Sequence, residues 1–273
     1  MRNKEEIQKL RILSLASGSK GNCYYVEAGG TGLLVDCGLS LKSLQERLQS
    51  ANIDISKIKY VLVSHEHSDH TKGLSSLSKK YSPQIFCNYV STEKIVSLFP
   101  DLDGKIMTFD NEKLFLGEME VTPIPVSHDS SFCTAFKISA GQATAAIVTD
   151  LGVIDSGVFD IISGSKVVYI ESNHDEYMLK ACLYPSIVKK RIAGNTGHLS
   201  NRQAGYAILE LYSRGTKHFV LSHISENSNT YEKAYSTIAS VLSEHGVDID
   251  KDIVVRFAHQ HKIGNNFLLG EDK

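Results

Sequence analysis

Ser64-His65-Glu66-His67-Ser68-Asp69-His70 stands directly after the apolar run Tyr60-Val61-Leu62-Val63. Three imidazoles and the Asp69 carboxylate fall within six positions. A solvated loop has little use for histidine at that density. A dinuclear metal site does, because each divalent ion takes several nitrogen or oxygen ligands and keeps a position open for water. The strand sets where the loop begins, so His65 and His67 can share one ion while Asp69 and His70 turn toward a second. The bland alternative is a polar surface loop, but motifs this dense rarely arise without a site.

Further candidate ligands stand just after other apolar stretches, in Val126-Ser127-His128, Val148-Thr149-Asp150 and Val220-Leu221-Ser222-His223. One strand-end histidine is usually structural. Three such events downstream of a His-rich loop point to a shared cleft, with rigid strands aiming the side chains.

The surrounding pattern supports strands at 12–16, 23–28 and 32–37, with Ser17-Gly18-Ser19-Lys20-Gly21-Asn22 as a turn between the first two. Leucines at 39, 41, 44 and 48 recur at helical spacing, and one further helix is expected from the metal loop to Tyr81. Strands follow at 84–87, 118–124, 134–138, 143–148 and 166–170. Ser200-x-x-Gln203 reads as a capping box opening a helix that Gly215 ends. Strand 219–221, helix 231–244 and strand 254–257 complete the pass. Two strand-rich blocks separated by helices predict two facing sheets with helices outside, in one domain over residues 1–273.

With 42% hydrophobic and 22% charged residues, the chain has an ordinary globular composition and ample length for a core. No apolar run approaches the roughly eighteen residues of a membrane span. The start Met1-Arg2-Asn3-Lys4-Glu5-Glu6 is too charged for a signal peptide. Cys23, Cys37, Cys87, Cys133 and Cys182 are odd in number and scattered, which fits reduced thiols in the cytoplasm. A formal charge of −2 offers no global attraction to nucleic acid or membrane. Composition leaves the oligomeric state open.

Taken in order, Asp36, His65-x-His67-x-Asp69-His70, His128, Asp150 and His223 resemble the metallo-β-lactamase fold superfamily of metal hydrolases. The resemblance spans nearly the whole chain. It implies an α/β fold, an αββα sandwich of two mixed β-sheets with helices on the outer faces and the site at the sheet edges. It also implies that His65, His67 and His128 hold one ion and Asp69, His70 and His223 the other. Asp150 would bridge them, and Asp36 would orient a ligand imidazole from behind. Two ions about 3.5–4 Å apart would activate a bridging water and clamp the charge of the reaction centre. Zinc or manganese fits such a ligand set, and iron is compatible.

Glu171-Ser172-Asn173-His174-Asp175, Gly197-His198-Leu199-Ser200-Asn201 and Leu221-Ser222-His223-Ile224-Ser225-Glu226-Asn227 narrow the likeness to the WalJ (YycJ) group. The Ser17–Asn22 turn adds to it. That group lies near ribonuclease Z and the phosphodiesterase PhnP. The likeness implies a nuclease acting on DNA, a 5′→3′ exonuclease associated with DNA repair. The alternative is a small-molecule hydrolase on the same fold, cleaving a cyclic phosphodiester, a thioester or a lactone. The chain is too short between Asp150 and His198 for the inserted domain of the ribonuclease J branch. It also lacks the C-terminal helical domain of glyoxalase II.

His198 is not needed to complete either ion's ligands. It stands near a helix start, where amide dipoles favour an anion such as phosphate. It is therefore the candidate general acid, with Glu171 holding it as the pairing in ribonuclease Z suggests. Asp69 joins them as a candidate catalytic residue. His174 reads equally well as structural or functional. His218 and His245 read as surface residues, and His259 and His261 as decorations of a strand. Lys189-Lys190-Arg191 reads as a solvated face, with phosphate contact as the alternative.

Overall fold

The structure, a computed structural model, describes residues 9–270. The charged start at 1–6 lies outside the described residues. Six strands lead the chain: β1 (Leu10–Ala16), β2 (Cys23–Ala28), β3 (Thr31–Val35), β4 (Ile58–Val63), β5 (Gln84–Asn88) and β6 (Ile106–Phe109). With the last strand, β14 (Phe267–Leu269), they form one sheet in the order β14-β1-β2-β3-β4-β5-β6. The second sheet holds β7 (Leu114–Leu116), β8 (Met119–Val126), β9 (Cys133–Ala140), β10 (Ala143–Val148), β11 (Val167–Glu171), β12 (His218–Ser222) and β13 (Val254–Phe257). Its order is β13-β12-β11-β10-β9-β8-β7.

Each sheet is antiparallel on one side and parallel on the other. In the first, β3 pairs β4 in parallel and β4 pairs β5. In the second, β10, β11, β12 and β13 run parallel. Parallel strands need cover on both faces, so they read as unbroken apolar runs. β11, Val-Val-Tyr-Ile-Glu, is buried at every position.

Period-two alternation sorts the side chains into layers. Ile12, Tyr24, Leu33, Phe136, Ile147 and Tyr169 meet in the core between the sheets. Tyr24 packs edge-on against Tyr169 across that core, ring centroids 5.3 Å apart. Their neighbours Leu13, Tyr25 and Leu34 face outward, where Leu44 of α1 (Leu41–Ser50) and Leu77 of α3 (Leu74–Tyr81) cover them. The short α2 (Ser68–Thr71) lies in the histidine loop, and α4 (Tyr89–Leu98) adds Ile95 to the same layer. Beyond the second sheet lie α5 (Ser156–Ile162), α8 (Asn201–Ser213) and α9 (Tyr231–Glu244), packed on Val168, Ile170, Phe219 and Leu221. Two short helices, α6 (Glu176–Ala181) and α7 (Ser186–Ile192), connect β11 to α8. Each fully buried Leu or Ile contributes roughly 1.5–3 kcal/mol.

The expected capping box is present: Ser200 Oγ accepts from Gln203 N, and Gln203 Oε1 accepts from Ser200 N. The single helix expected up to Tyr81 is instead two, α2 and α3. A tertiary hydrogen bond replaces the helical one at the break: Gly73 N donates to Cys37 O at 2.8 Å, while Asp69 O accepts from Asn22 N at 2.7 Å. His259 and His261 do not decorate a strand. β13 ends at Phe257, and the chain turns so that His259 O accepts from Ser17 N at 3.0 Å. His261 is paired with Glu226 at 2.7 Å.

Candidate metal centre

The carboxyl ends of parallel strands converge where the two sheets meet. Asp36 follows β3, His65 follows β4, Asp150 lies just beyond β10, Glu171 ends β11 and His223 follows β12. Carboxyl ends of parallel strands are where open α/β sheets place their sites. Three of these residues adopt a left-handed backbone: Asp36 (φ 64°), Asp150 (φ 62°) and His223 (φ 55°). Such conformations cost of order 1–3 kcal/mol and persist only where the surroundings impose them. Here they turn the chain sharply, so Asp150 and His223 face the shared cleft and Asp36 meets His70 from behind.

The histidines are held by a common device. His70 Nδ1 lies 2.8 Å from Asp36 Oδ2, and His223 Nδ1 lies 2.7 Å from Glu171 Oε1. His128 Nδ1 approaches Gly197 O at 3.2 Å, and His65 Nδ1 lies 3.0 Å from Ser64 Oγ. An Nδ1 that donates to an oxygen fixes the ring and its tautomer, leaving Nε2 bare as a ligand atom. Asp36 also accepts from Ser64 N and Ser64 Oγ, which secures the start of the histidine loop.

The donor atoms gather in groups whose members all lie within 4.8 Å: His65, His67 and His128; Asp69, His70 and His223; and His65, His70 and Asp150. His65 Nε2, His223 Nε2 and Asp150 Oδ2 are buried with no hydrogen-bond partner. Leaving such a buried group unpaired costs about 1–3 kcal/mol. Orphans of this kind, with Asp150 in a close group with each histidine, fit bound divalent metal. Asp150, Glu171, His198 and His223 make a further close group. Glu171 is an anchor there, because its oxygens already accept from His198 Nδ1, His223 Nδ1, Leu151 N and Leu199 N.

Electrostatics agree with this arrangement. Burial works against ionisation of Asp150, yet His223 and His70 hold its carboxyl well below the usual range. Burial likewise opposes Glu171, but His198 and His223 bring it down to about 2. Desolvation pushes the imidazoles of His65 and His128 toward the neutral, ligating form. His70 and His223 are pulled the other way. Burial lowers them, but the carboxylates beside them overcome it.

The cleft has a volume of about 290 Å³, and its lining includes His67, Asp69, His128, Asp150, His198 and His223. His198 is held by Glu171 through Nδ1 at 2.9 Å, its ring 5.1 Å from that of His128 and 5.2 Å from that of His223. His174 is buried with its Nδ1 unpartnered and joins none of the ligand groups.

Several site residues carried no signal of their own. Asn22 Nδ2 lies 3.2 Å from Asp69 Oδ2 and 3.0 Å from His70 Nε2. Asp129 sits 3.3 Å from His128 Nε2 and pairs with Arg191 at 3.1 Å. Arg191 thus borders the cleft through that pair while its side chain stays 61% exposed, in keeping with the solvated face read from Lys189-Lys190-Arg191. Only the adjacency of Asp129 to His128 hinted at its place.

A family model described as "Beta-lactamase superfamily domain" matches residues 31–224. The chain belongs to the beta-lactamase superfamily. It is 34% identical over 243 residues to "Exodeoxyribonuclease YycJ" of Bacillus anthracis, covering 88% of this chain and 92% of that protein. It is 29% identical over 246 residues to "Exodeoxyribonuclease WalJ" of Streptococcus pneumoniae, covering 88% and 91%. The solved metallo-beta-lactamase fold protein YhfI of Bacillus subtilis superposes with a TM-score of 0.71 at 17% identity, covering 96% of this chain and 99% of that one. Membership of this superfamily and the αββα layering make the chain a metallo-β-lactamase fold hydrolase. Its His/Asp groups suit divalent metal. Among the described residues no helix is long and apolar enough to cross a membrane.

Proposed function

We propose that the chain is a dinuclear metal-dependent phosphodiesterase, a 5′→3′ DNA exonuclease serving DNA repair in the cytoplasm, with residues 1–273 acting as one catalytic domain. One observation carries the metal-hydrolase part: four imidazoles anchored through Nδ1 gather around Asp150, whose Oδ2 is buried and unpartnered. The exonuclease part rests on the two relatives of that name, each aligned over 88% of this chain. The polarity rests on the resemblance to the WalJ group.

His65, His67 and His128 would hold one ion, Asp69, His70 and His223 the other, and Asp150 would be shared. Zinc, manganese or iron suits these nitrogen and oxygen donors. Bound there, the ions would supply Lewis-acid charge that acidifies a water and offsets the charge growing on the phosphate. Asp36 and Glu171 keep His70 and His223 from rotating. Asp69 stays ionised, because His70 and His223 outweigh the effect of its burial, so its carboxylate can orient the attacking water. Glu171 occupies His198 Nδ1 and leaves Nε2 for the substrate. In the charged form of the ring, Nε2–H passes its proton to the leaving sugar oxygen as that P–O bond breaks and the water oxygen bonds to phosphorus.

The test is hydrolysis by manganese- or zinc-loaded protein of end-labelled duplex DNA, RNA, a cyclic phosphodiester, a thioester and a lactone. Stepwise release of nucleotides, stopped by a blocked 5′ end and not by a blocked 3′ end, is the expected result. Intact DNA alongside turnover of a small ester would move the chain to the small-molecule reading.

A further inference from the structure

Helices α6 and α7 carry a surface that the chemistry above does not use. Tyr184, Val188, Arg191 and Ile192 of this segment line the cleft. Outside it, three apolar side chains stand almost free of protein: Tyr177 at 76% exposure, Leu183 at 102% and Ile187 at 77%. Single exposed apolar residues are ordinary, but a cluster marks an interaction surface. This cluster is interleaved with Lys180, Lys189, Lys190 and Arg191, against Glu176 as the lone acid from 176 to 192, in a chain whose formal charge is −2. Lys180 Nζ lies 5.7 Å from the Tyr177 ring centroid. Lys189 Nζ donates to Lys180 O at 2.6 Å, which ties α7 to α6. Ile187 and Arg191 are one helical turn apart, so the patch is continuous with the cleft edge.

Resting on the phosphodiesterase reading, we propose that α6 and α7 form a platform for a single nucleic-acid strand entering the cleft. Bases would lie on Tyr177, Leu183 and Ile187, with phosphates against Lys180, Lys189 and Lys190. Aromatic and apolar side chains interleaved with cations suit a strand whose bases are unstacked. A duplex presents its phosphates and sugars outward and offers these side chains nothing to stack on. A second copy of the chain is a poorer occupant, since a self-complementary contact would bring four basic residues toward four others.

The test compares wild type with Tyr177→Ala/Leu183→Ser/Ile187→Ser and with Lys180→Ala/Lys190→Ala, all at exposed positions. Anisotropy of a labelled, cleavage-resistant phosphorothioate single strand reports binding to the metal-loaded protein. Turnover of bis(p-nitrophenyl) phosphate, too small to reach the patch, reports the centre. The apolar variant should bind the strand about tenfold more weakly or worse. The lysine variant should lower the log–log salt slope by about 1.4. Both should keep wild-type turnover of the small ester. Unchanged strand binding in both variants, with a wild type that does bind, overturns the platform and leaves the phosphodiesterase reading standing. So does a wild-type dimer that the apolar variant makes monomeric without loss of strand binding. A wild type that neither binds nor cuts DNA fails the functional reading first and the platform with it.

Discussion

Glu171 Oε1 lies 2.7 Å from His223 Nδ1, beneath the cleft and fully buried. The same oxygen accepts from His198 Nδ1 at 2.9 Å, while Oε2 accepts from Leu151 N and Leu199 N. One carboxylate thus joins a metal-ligand candidate, the proton-donor candidate and the backbone beside each. Four donors meet it, and each requires an acceptor.

A glutamine cannot replace it. Glu171→Gln would turn an NH₂ toward two N–H donors in either orientation of the amide. The expected loss is about 1–3 kcal/mol of stability, together with weaker metal binding by about 10–100-fold. Urea denaturation and metal titration read the two effects separately. Wild-type values in both would refute the anchoring role.

His198→Ala should leave metal content intact and slow hydrolysis of DNA by about 10²–10⁴-fold. An ester with a p-nitrophenolate leaving group needs no proton and should lose much less. Equal losses on the two substrates would remove the acid role, and loss of metal would make His198 a ligand.

Gly38 underlies the histidine loop through close approach. A Cβ there would fall 1.7 Å from Asp69 O and 2.6 Å from Asn22 N. Gly38→Ala must therefore displace the backbone of Asp69. We expect a stability loss on the order of 1–3 kcal/mol and reduced metal occupancy. A variant matching wild type in melting temperature and metal content would contradict the packing described.

Burial holds the His174 imidazole down to about 4 from 6.5, with Glu171 acting in the opposite direction. The folded protein thus declines a proton that the unfolded chain takes up below about pH 6.5. Stability linked to His174 is complete above that pH and falls as pH drops toward 4, by at most about 3 kcal/mol. Urea midpoints at pH 7 and pH 5 should diverge more for wild type than for His174→Gln. Identical pH dependence in the two proteins would show that His174 does not contribute.

Secondary structure was most legible where local patterning and burial agree. β10 and α9 have the boundaries their periodicity predicts, and the Ser200 cap forms as its spacing demands. The segments α4, α5, α6, α7, β6, β7 and β14 left no clear periodic trace. Most of them are short, and α7 spans only Ser186–Ile192, too few residues for helical spacing to stand out. The break between α2 and α3 was equally hidden, because it depends on the pairing of Gly73 N with Cys37 O, 36 positions away.

By itself the sequence determined the types of the candidate ligands, their order along the chain and their positions after strands. Those follow from period-two burial and from residue chemistry, both of which are local. Only the tertiary structure decided what each candidate ligand leans on. Asp36 reaches His70 across 34 positions, Glu171 reaches His223 across 52, and Ser17 reaches the His223 amide across 206. Such partners are chosen by which strand ends the two sheets bring together, and no local pattern encodes that distance. The left-handed turns at Asp36, Asp150 and His223 belong to the same level, since their strain is held by packing around them and not by the residues' own preferences.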